Sequence, residues 1–387
     1  MTYLIKFFKL LIITLLAIIA IFPLVKIQKK IEISSLFPNK QLLGENKQGV
    51  ITLVPIKEKR IFEIDLSQNV INFYEDGEKK ASFKIAYQSP ADVWYQTPTG
   101  YFRIGIKKEK HKSSLIPVYF DYAVQFYEDY FIHSLPYYSN GRYLDSQFTG
   151  GCLRLEEDQA KKFYELAQPG DLVISYLSLD NLELNPDYRF PVVKNDYWLR
   201  QRFNNPLKTR NTYHGLNKIK LNYLQHAGID LAPKAGAKDL GVYALKEGKI
   251  VAIVKNGDND HGLGNTVIIE HQLANSSSTI YALYAHLSKI ENFKLGDYVK
   301  KGEKIGEVGA TGYGCNYWRI NEDGCWQNTP LDLHLHLEIK TKPVLESPIE
   351  AQCFINGSYN RCYGYTPENP EKYGYLNPMK ILIKEKR

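Results

Sequence analysis

Two stretches of this chain alternate apolar and polar residues with a period of two, and nothing else in the sequence limits the fold as much. In RIFEIDLSQNVINFYEDGEKKASFKIAY, residues 60–87, two such runs flank Glu75-Asp76-Gly77, a turn signal between strands. In Leu333-His334-Leu335-His336-Leu337 the leucines fall on one face and both imidazoles on the other, as a strand allows and a helix of period 3.6 does not. That pentapeptide is expected to form a half-buried strand carrying a polar site. Further strands are predicted in TPTGYFRIGI, YAVQFY, YFIHS, DLVISY, KEGKIVAIV, GNTVIIEH and STIYALYAHL. LEEDQAKKFYELA breaks the pattern: Leu155, Phe163, Leu166 and Ala167 recur at helical spacing, and Pro169-Gly170 closes the segment. The fold class is therefore mainly β, with one helix in the first half.

The N-terminus is of another kind. No charge occurs from Leu10 to Val25, while Lys6 and Lys9 precede the run and Lys26, Lys29 and Lys30 follow it. With tilted and snorkelling flanks this length crosses a hydrocarbon core, and the usual small-x-small cleavage pattern is missing. Residues 1–30 are predicted to be a signal anchor, a transmembrane helix, and 31–48 a polar stalk. The remainder is expected to lie outside the cytoplasm, on the periplasmic or cell-wall side. A first domain is predicted over 49–184, a Pro-, Asn-, Arg- and aromatic-rich linker over 185–222, and a second domain over 223–387. The 387 residues, 44% of them hydrophobic, suffice for two cores, and no internal repeat relates the halves. The formal charge of +7 is spread among acidic residues, and no basic run is interleaved with stacking aromatics. An anionic membrane or wall is the expected partner, and nucleic acid is not.

Of five cysteines, Cys315, Cys325, Cys353 and Cys362 cluster late, whereas Cys152 stands alone in FTGGCLRLE. In an exported chain the late set is expected to pair locally, Cys315 with Cys325 and Cys353 with Cys362; a zinc knot or free thiols are the alternatives. Cys152 remains unpaired, a liability in an oxidising compartment unless the thiol is used. A cysteine nucleophile needs a nearby base, and His133 at the end of YFIHS is the candidate. Gly150 and Gly151 allow a tight turn whose amides face an oxyanion, and Arg154 is placed to hold a substrate carboxylate.

The second half concentrates histidine. His226 and Asp230 in QHAGID, four apart, face one way on an extended strand, and His334 and His336 share a face. Two imidazoles and a carboxylate form a three-ligand set that leaves a fourth position open on a zinc ion. His286 in YALYAHLS adds a further imidazole. Spacing alone does not tell which of His334 and His336 is the ligand.

Two family resemblances follow from these residues. His133 followed at a distance by Thr149-Gly150-Gly151-Cys152-Leu153-Arg154, with IDLSQNVINFYEDG and TPTG upstream, resembles the YkuD-type L,D-transpeptidases over roughly residues 50–177. The resemblance implies a β-sandwich-like domain. It also implies that Cys152 attacks the L,D-peptide bond before the terminal D-alanine of a peptidoglycan stem, giving a thioester that an amine or water resolves. Many members have histidine where Gly150 stands, so L,D-carboxypeptidase activity is the alternative.

HAGID, GLGNTVIIEH, YAHLS, LGDYVKKGEKIGEVGATG and HLHLEI are similar in kind and order to the lysostaphin (LytM) type of zinc metalloendopeptidase, over about residues 224–340. That resemblance implies that His226, Asp230 and His336 bind Zn2+ and that His286 and His334 contact the water or the oxyanion. Tyr313 to Asp332 is an insertion relative to the family. The combined expectation is a membrane-anchored enzyme with two peptidoglycan-remodelling sites. The rival class is a wall-binding scaffold in which one half is not catalytic.

Overall fold

The computed structural model describes residues 58–89, 96–114, 116–214, 219–234, 237–256, 262–273, 278–312, 333–343, 345, 352–355, 358–361 and 363–384. The predicted anchor and stalk lie outside these residues, as do Cys315, Cys325, Cys362 and the side chain of Cys353, on which the disulfide expectation falls. Among the described residues no helix is long and apolar enough to cross a membrane.

The predicted hairpin forms: β1 (Arg60–Asp65) pairs antiparallel with β2 (Val70–Glu75), and β2 with β3 (Glu78–Lys84). Asp76 and Gly77 turn the chain at φ 49° and 81°. Positive φ at both central residues gives a two-residue hairpin whose twist matches that of its strands. β4 (Gly100–Arg103) pairs antiparallel with β9 (Leu172–Ser178), which lies parallel to β1. Between them in the chain, β5 (Lys107–Lys112), β6 (Tyr119–Tyr127), β7 (Tyr130–His133) and β8 (Leu153–Arg154) form a second sheet in that order.

The two sheets close on one core that contains Phe62, Phe73 and Phe102 from the first and Phe126, Ile132 and Leu153 from the second. The helix Glu157–Leu166 caps this core: Ala160 and Phe163, three apart, are its buried residues, and Glu157 and Asp158 occupy the first turn, where the helix dipole favours acids. The Phe163 ring meets Phe62 edge-on at 5.0 Å and Phe83 at 5.4 Å. Burying such a ring contributes roughly 1.5–3 kcal/mol.

The second half is built on β12 (Ile219–His226), β13 (Ile229–Pro233), β15 (Gly248–Val254), β16 (Asn265–Gln272), β17 (Thr279–Leu287) and the strand Leu335–Lys340, with β14 (Gly241–Tyr243) in a small sheet beside them. Leu335, Leu337 and Ile339 enter the largest apolar cluster. The HLHLE strand was expected to be half-buried, yet its polar face is buried too: His334, His336, Glu338 and Lys340 are each 1–3% exposed. The polar groups pair with one another there, Lys340 with Glu338 at 2.7 Å and Glu338 with His336 at 3.1 Å. Gly364 lies so close over the His336 ring that a Cβ would stand 3.1 Å from it.

One sheet runs through both halves. β10 (Tyr197–Gln201) lies within 185–222, the segment read as a linker, and pairs antiparallel with β9 on one side and β13 on the other. All five of its residues are buried. Tyr197 and Leu199 join the second-half core, while Trp198 packs edge-on against Tyr101 and Tyr176 of the first half, at 5.7 and 5.4 Å. β11 (Pro206–His214) then pairs with β12.

Candidate active sites

The first-half site forms where β7 and β8 run parallel, with Ile132 opposite Leu153 and His133 opposite Arg154. The chain leaves at His133 and returns at Cys152, so the two side chains share a sheet face one pleat apart. Cys152 packs against Phe120, Ala123 and Phe131. Its sulfur accepts the Phe131 N–H at 3.4 Å and lies 3.9 Å from the Asp129 carbonyl oxygen. His133 stacks on Phe120 at 3.9 Å and donates from Nδ1 to the Ser134 carbonyl at 2.6 Å, which leaves Nε2 unprotonated. Burial pushes the Cys152 thiol up to about 11, against the pull of the Phe131 amide and Arg154. Burial likewise pushes His133 down to about 3. At neutral pH Cys152 is therefore a thiol and His133 a neutral base.

The other first-half residues are held by the protein's own groups. Arg154 is buried, and its two terminal nitrogens donate to the carbonyls of Ser146 and Phe148. It fastens the loop before the cysteine instead of offering a free guanidinium to a substrate carboxylate. The Gly151 N–H donates to Thr149 Oγ1 at 3.2 Å, and Thr149 is tied to Ser89 through its carbonyl at 2.7 Å. Gly151 adopts φ 101°, as the turn requires. Gly150 is exposed at the tip.

In the second half, His226, Asp230 and His336 converge. His226 ends β12 and Asp230 lies in β13, so, contrary to the expectation, the two do not share one extended strand; a two-residue bend at Ala227-Gly228 intervenes. A Cβ at Gly228 would stand 2.4 Å from the Leu337 carbonyl oxygen, so the bend needs glycine. Asp230 pairs with His336 in register, and Ala285 flanks His336 on the other side.

His226 Nε2, Asp230 Oδ1 and His336 Nδ1 stand 3.1, 2.9 and 3.3 Å from one another. Donors at zinc-ligand bond lengths on a tetrahedron are separated by roughly 3.3 Å. The remaining ring nitrogens face acceptors: His226 Nδ1 lies 3.1 Å from the Arg202 carbonyl and His336 Nε2 lies 3.1 Å from Glu338 Oε1. Such outer partners turn the opposite lone pairs inward. The donor set therefore fits a zinc ion.

Two more imidazoles flank this set. By strand alternation His286 would share the apolar side with Tyr284, but a register shift between Asn265 and Val267 and a positive φ of 61° at His286 re-aim it. Its ring lies 4.8 Å from His334 and 5.9 Å from His336. His286 Nδ1 donates to the Thr311 carbonyl at 2.9 Å, leaving Nε2 as a base. His334 Nδ1 is 2.9 Å from Arg200 Nη1. Burial, with His336 nearby, pushes His286 down to about 4. Burial would raise the Asp230 carboxyl, but His226 and His336, which also hydrogen-bond it, hold it well below the usual range. Burial also opposes charge on His336, yet Asp230 and Glu338 prevail and hold it at about 9. Glu338 in turn is held at about 2, its burial outweighed by Lys340 and His336.

Sequence reading passed over Ser134, Phe120, Thr311, Glu338, Arg200 and Arg202. Only Glu338 carried a local signal, as an acid two positions beyond His336 on the same strand face.

Fold and geometry define a chain with two chemically distinct sites, a thiol and an imidazole on one face of the β7–β8 sheet and a histidine–aspartate metal-type centre. Residues 59–174 match the family model of the L,D-transpeptidase catalytic domain, YkuD, and residues 224–346 match that of peptidase family M23, whose members are zinc-dependent. Lysostaphin of Staphylococcus simulans is 36% identical over 100 residues, 26% of this chain and 18% of that protein. Peptidoglycan DD-endopeptidase ShyB of Vibrio cholerae is 38% identical over 87 residues, 22% of this chain and 17% of that one. These matches thus span about a fifth of each curated relative. An L,D-transpeptidase structure from Stackebrandtia nassauensis aligns at 22% identity and TM-score 0.28, covering 35% of this chain and 63% of that chain.

Proposed function

We propose that the chain is a bifunctional peptidoglycan enzyme: a Cys152-dependent L,D-transpeptidase joined to a zinc-dependent endopeptidase that cuts peptide cross-links. The observation that carries the reading is the convergence of His226, Asp230 and His336 beside His286 and His334, in a region that matches a peptidase family. A zinc ion there supplies Lewis acidity toward a peptide carbonyl and lowers the pKa of water. His286, with Nε2 free of a proton, takes the proton of the attacking water, and His334 donates to the carbonyl oxygen as charge develops on it.

In the first half, Cys152 forms a C–S bond to the stem-peptide carbonyl while its proton passes to His133 and on to the departing amine as the C–N bond breaks. An amine or water then resolves the thioester. Water as acceptor makes this site an L,D-carboxypeptidase. The glycine turn at 150–151 is the proposed oxyanion contact, once substrate displaces the Thr149 hydroxyl from the Gly151 amide. The proposed setting is extracytoplasmic, with residues 1–30 anchoring the chain in the membrane.

Muropeptide profiling with Cys152→Ala and His336→Ala proteins tests the reading. Each variant is expected to lose one product class and keep the other. Unchanged products from both variants would leave a wall-binding scaffold as the function.

A further inference from the structure

Arg200 in the strand that joins the halves and Arg202 just beyond its end reach histidines of the second-half site, and first-half residues hold both. Arg200 is 1% exposed, and its Nη1 donates to His334 Nδ1 at 2.9 Å. Its guanidinium carbon lies 5.0 Å from the centroid of the Tyr101 ring, which belongs to β4 of the first half. Guanidinium offers five N–H groups and no acceptor, so His334 Nδ1 must be the accepting nitrogen. The ring proton of His334 is thereby confined to Nε2, the nitrogen 3.8 Å from Asp230 Oδ2. Neither the Nδ1–H tautomer nor a doubly protonated ring is compatible with that bond.

A second set of contacts from the first half leads to His226, one of the proposed ligands. Gln96 donates to the Phe203 carbonyl at 3.0 Å, Arg202 donates to the Thr97 carbonyl, and Thr99 and Asn205 exchange hydrogen bonds at 2.8 and 3.0 Å. Residues 204 and 205 in turn bond the backbone of His226 on both sides, and the Arg202 carbonyl faces its Nδ1.

We propose that Arg200 is the positioning residue that keeps the His334 proton on Nε2, and that the first half, through Tyr101 and the 96–99 loop, completes the second-half site. The inference rests on reading that site as a peptidase centre. There, Nε2–H donates a hydrogen bond to the scissile carbonyl oxygen as it gains charge; in the other tautomer a lone pair would face that oxygen and repel it. Arg200 touches neither the substrate nor the three proposed ligands, and acts through His334.

Histidine-selective 15N labelling of the full chain, with and without zinc, reads the tautomer directly, and His334→Gln assigns the signal. Wild-type His334 is expected to carry its proton on Nε2 in both states. Arg200→Met, which keeps the length of the side chain but removes the donor, is expected to shift the proton toward Nδ1. The same change is expected to lower kcat for cross-link cleavage about 10²-fold, with KM and bound zinc unaltered. Arg200→Lys restores a donor and should recover both tautomer and rate. A wild-type proton on Nδ1, or an Arg200→Met protein with unaltered ring signals and kcat, overturns the proposal. Should Arg200→Met fail to fold, the wild-type tautomer still decides. A wild-type chain that cleaves no cross-link would refute the peptidase reading, while the tautomer measurement would continue to judge the role of Arg200.

Discussion

The two candidate sites lie on different sheets and set the charge of their groups by opposite means. Around Cys152 and His133 the surroundings are aromatic, and burial outweighs the opposing hydrogen bonds: the thiol is pushed up and the imidazole down, so both are neutral. Around His226, Asp230 and His336 burial is equally deep, but carboxylates, imidazoles and the Lys340 ammonium oppose it and keep charge in place. A thiol proposed to react only once a carbonyl is docked suits neutral, largely apolar surroundings. A centre that seats a cation suits charges arranged beforehand.

The comparison breaks most visibly under ligand removal. His336→Ala and Asp230→Ala should each abolish zinc retention, measured by metal analysis after dialysis, and lower cross-link cleavage on the order of 10³-fold or more. Acyl transfer by Cys152 should persist in both. Zinc retained in either variant would refute the ligand set.

Next in size is the mechanical link between the sites. Phe163→Ala should destabilise the first-half core by about 3–5 kcal/mol. Because β10 belongs to the sheet of both halves, urea unfolding followed by first-half and second-half probes should move together. A second-half transition that stays in place would show that the shared strand does not couple the cores.

The pH dependence sharpens the contrast. His133 and His286 have folded-state pKa values lowered to about 3 and about 4, so the unfolded chain binds more protons below about 6.5. Stability should therefore fall with acidification, by roughly 1.4 kcal/mol per pH unit for each buried neutral imidazole. His336 has the opposite sign: raised to about 9, it contributes to the metal-free protein below about 6.5 and loses that contribution as pH rises to about 9. Metal-free chain should accordingly lose stability on both sides of neutrality, and His336→Gln should remove the alkaline limb alone.

The smallest effect is kinetic. Alkylation of Cys152 should keep accelerating up to about pH 11, beyond the range in which an ordinary thiol levels off. A plateau near neutrality would indicate a thiolate already paired with His133.

Much of this was legible in the chain. Period-two alternation marks the strands, the hairpin at Asp76-Gly77 and the shared face of His334 and His336, because strand geometry repeats every two residues whatever surrounds it. Phe163 marks the helix face for the same kind of reason. These features, with the solitary Cys152, are what the sequence by itself determined.

Tertiary structure decided the rest. His286 joins the second site only because a bulge turns it away from its alternation partner Tyr284. The Ala227-Gly228 bend aligns His226 with Asp230, Arg154 is drawn into its own loop, and β10 occupies a segment with the composition of a linker. Arg200 lies 134 positions from His334, and Thr99 lies 106 from Asn205. Local periodicity reports which way a side chain points from its own backbone; which distant group it meets depends on strand order and register, fixed only when the whole sheet assembles.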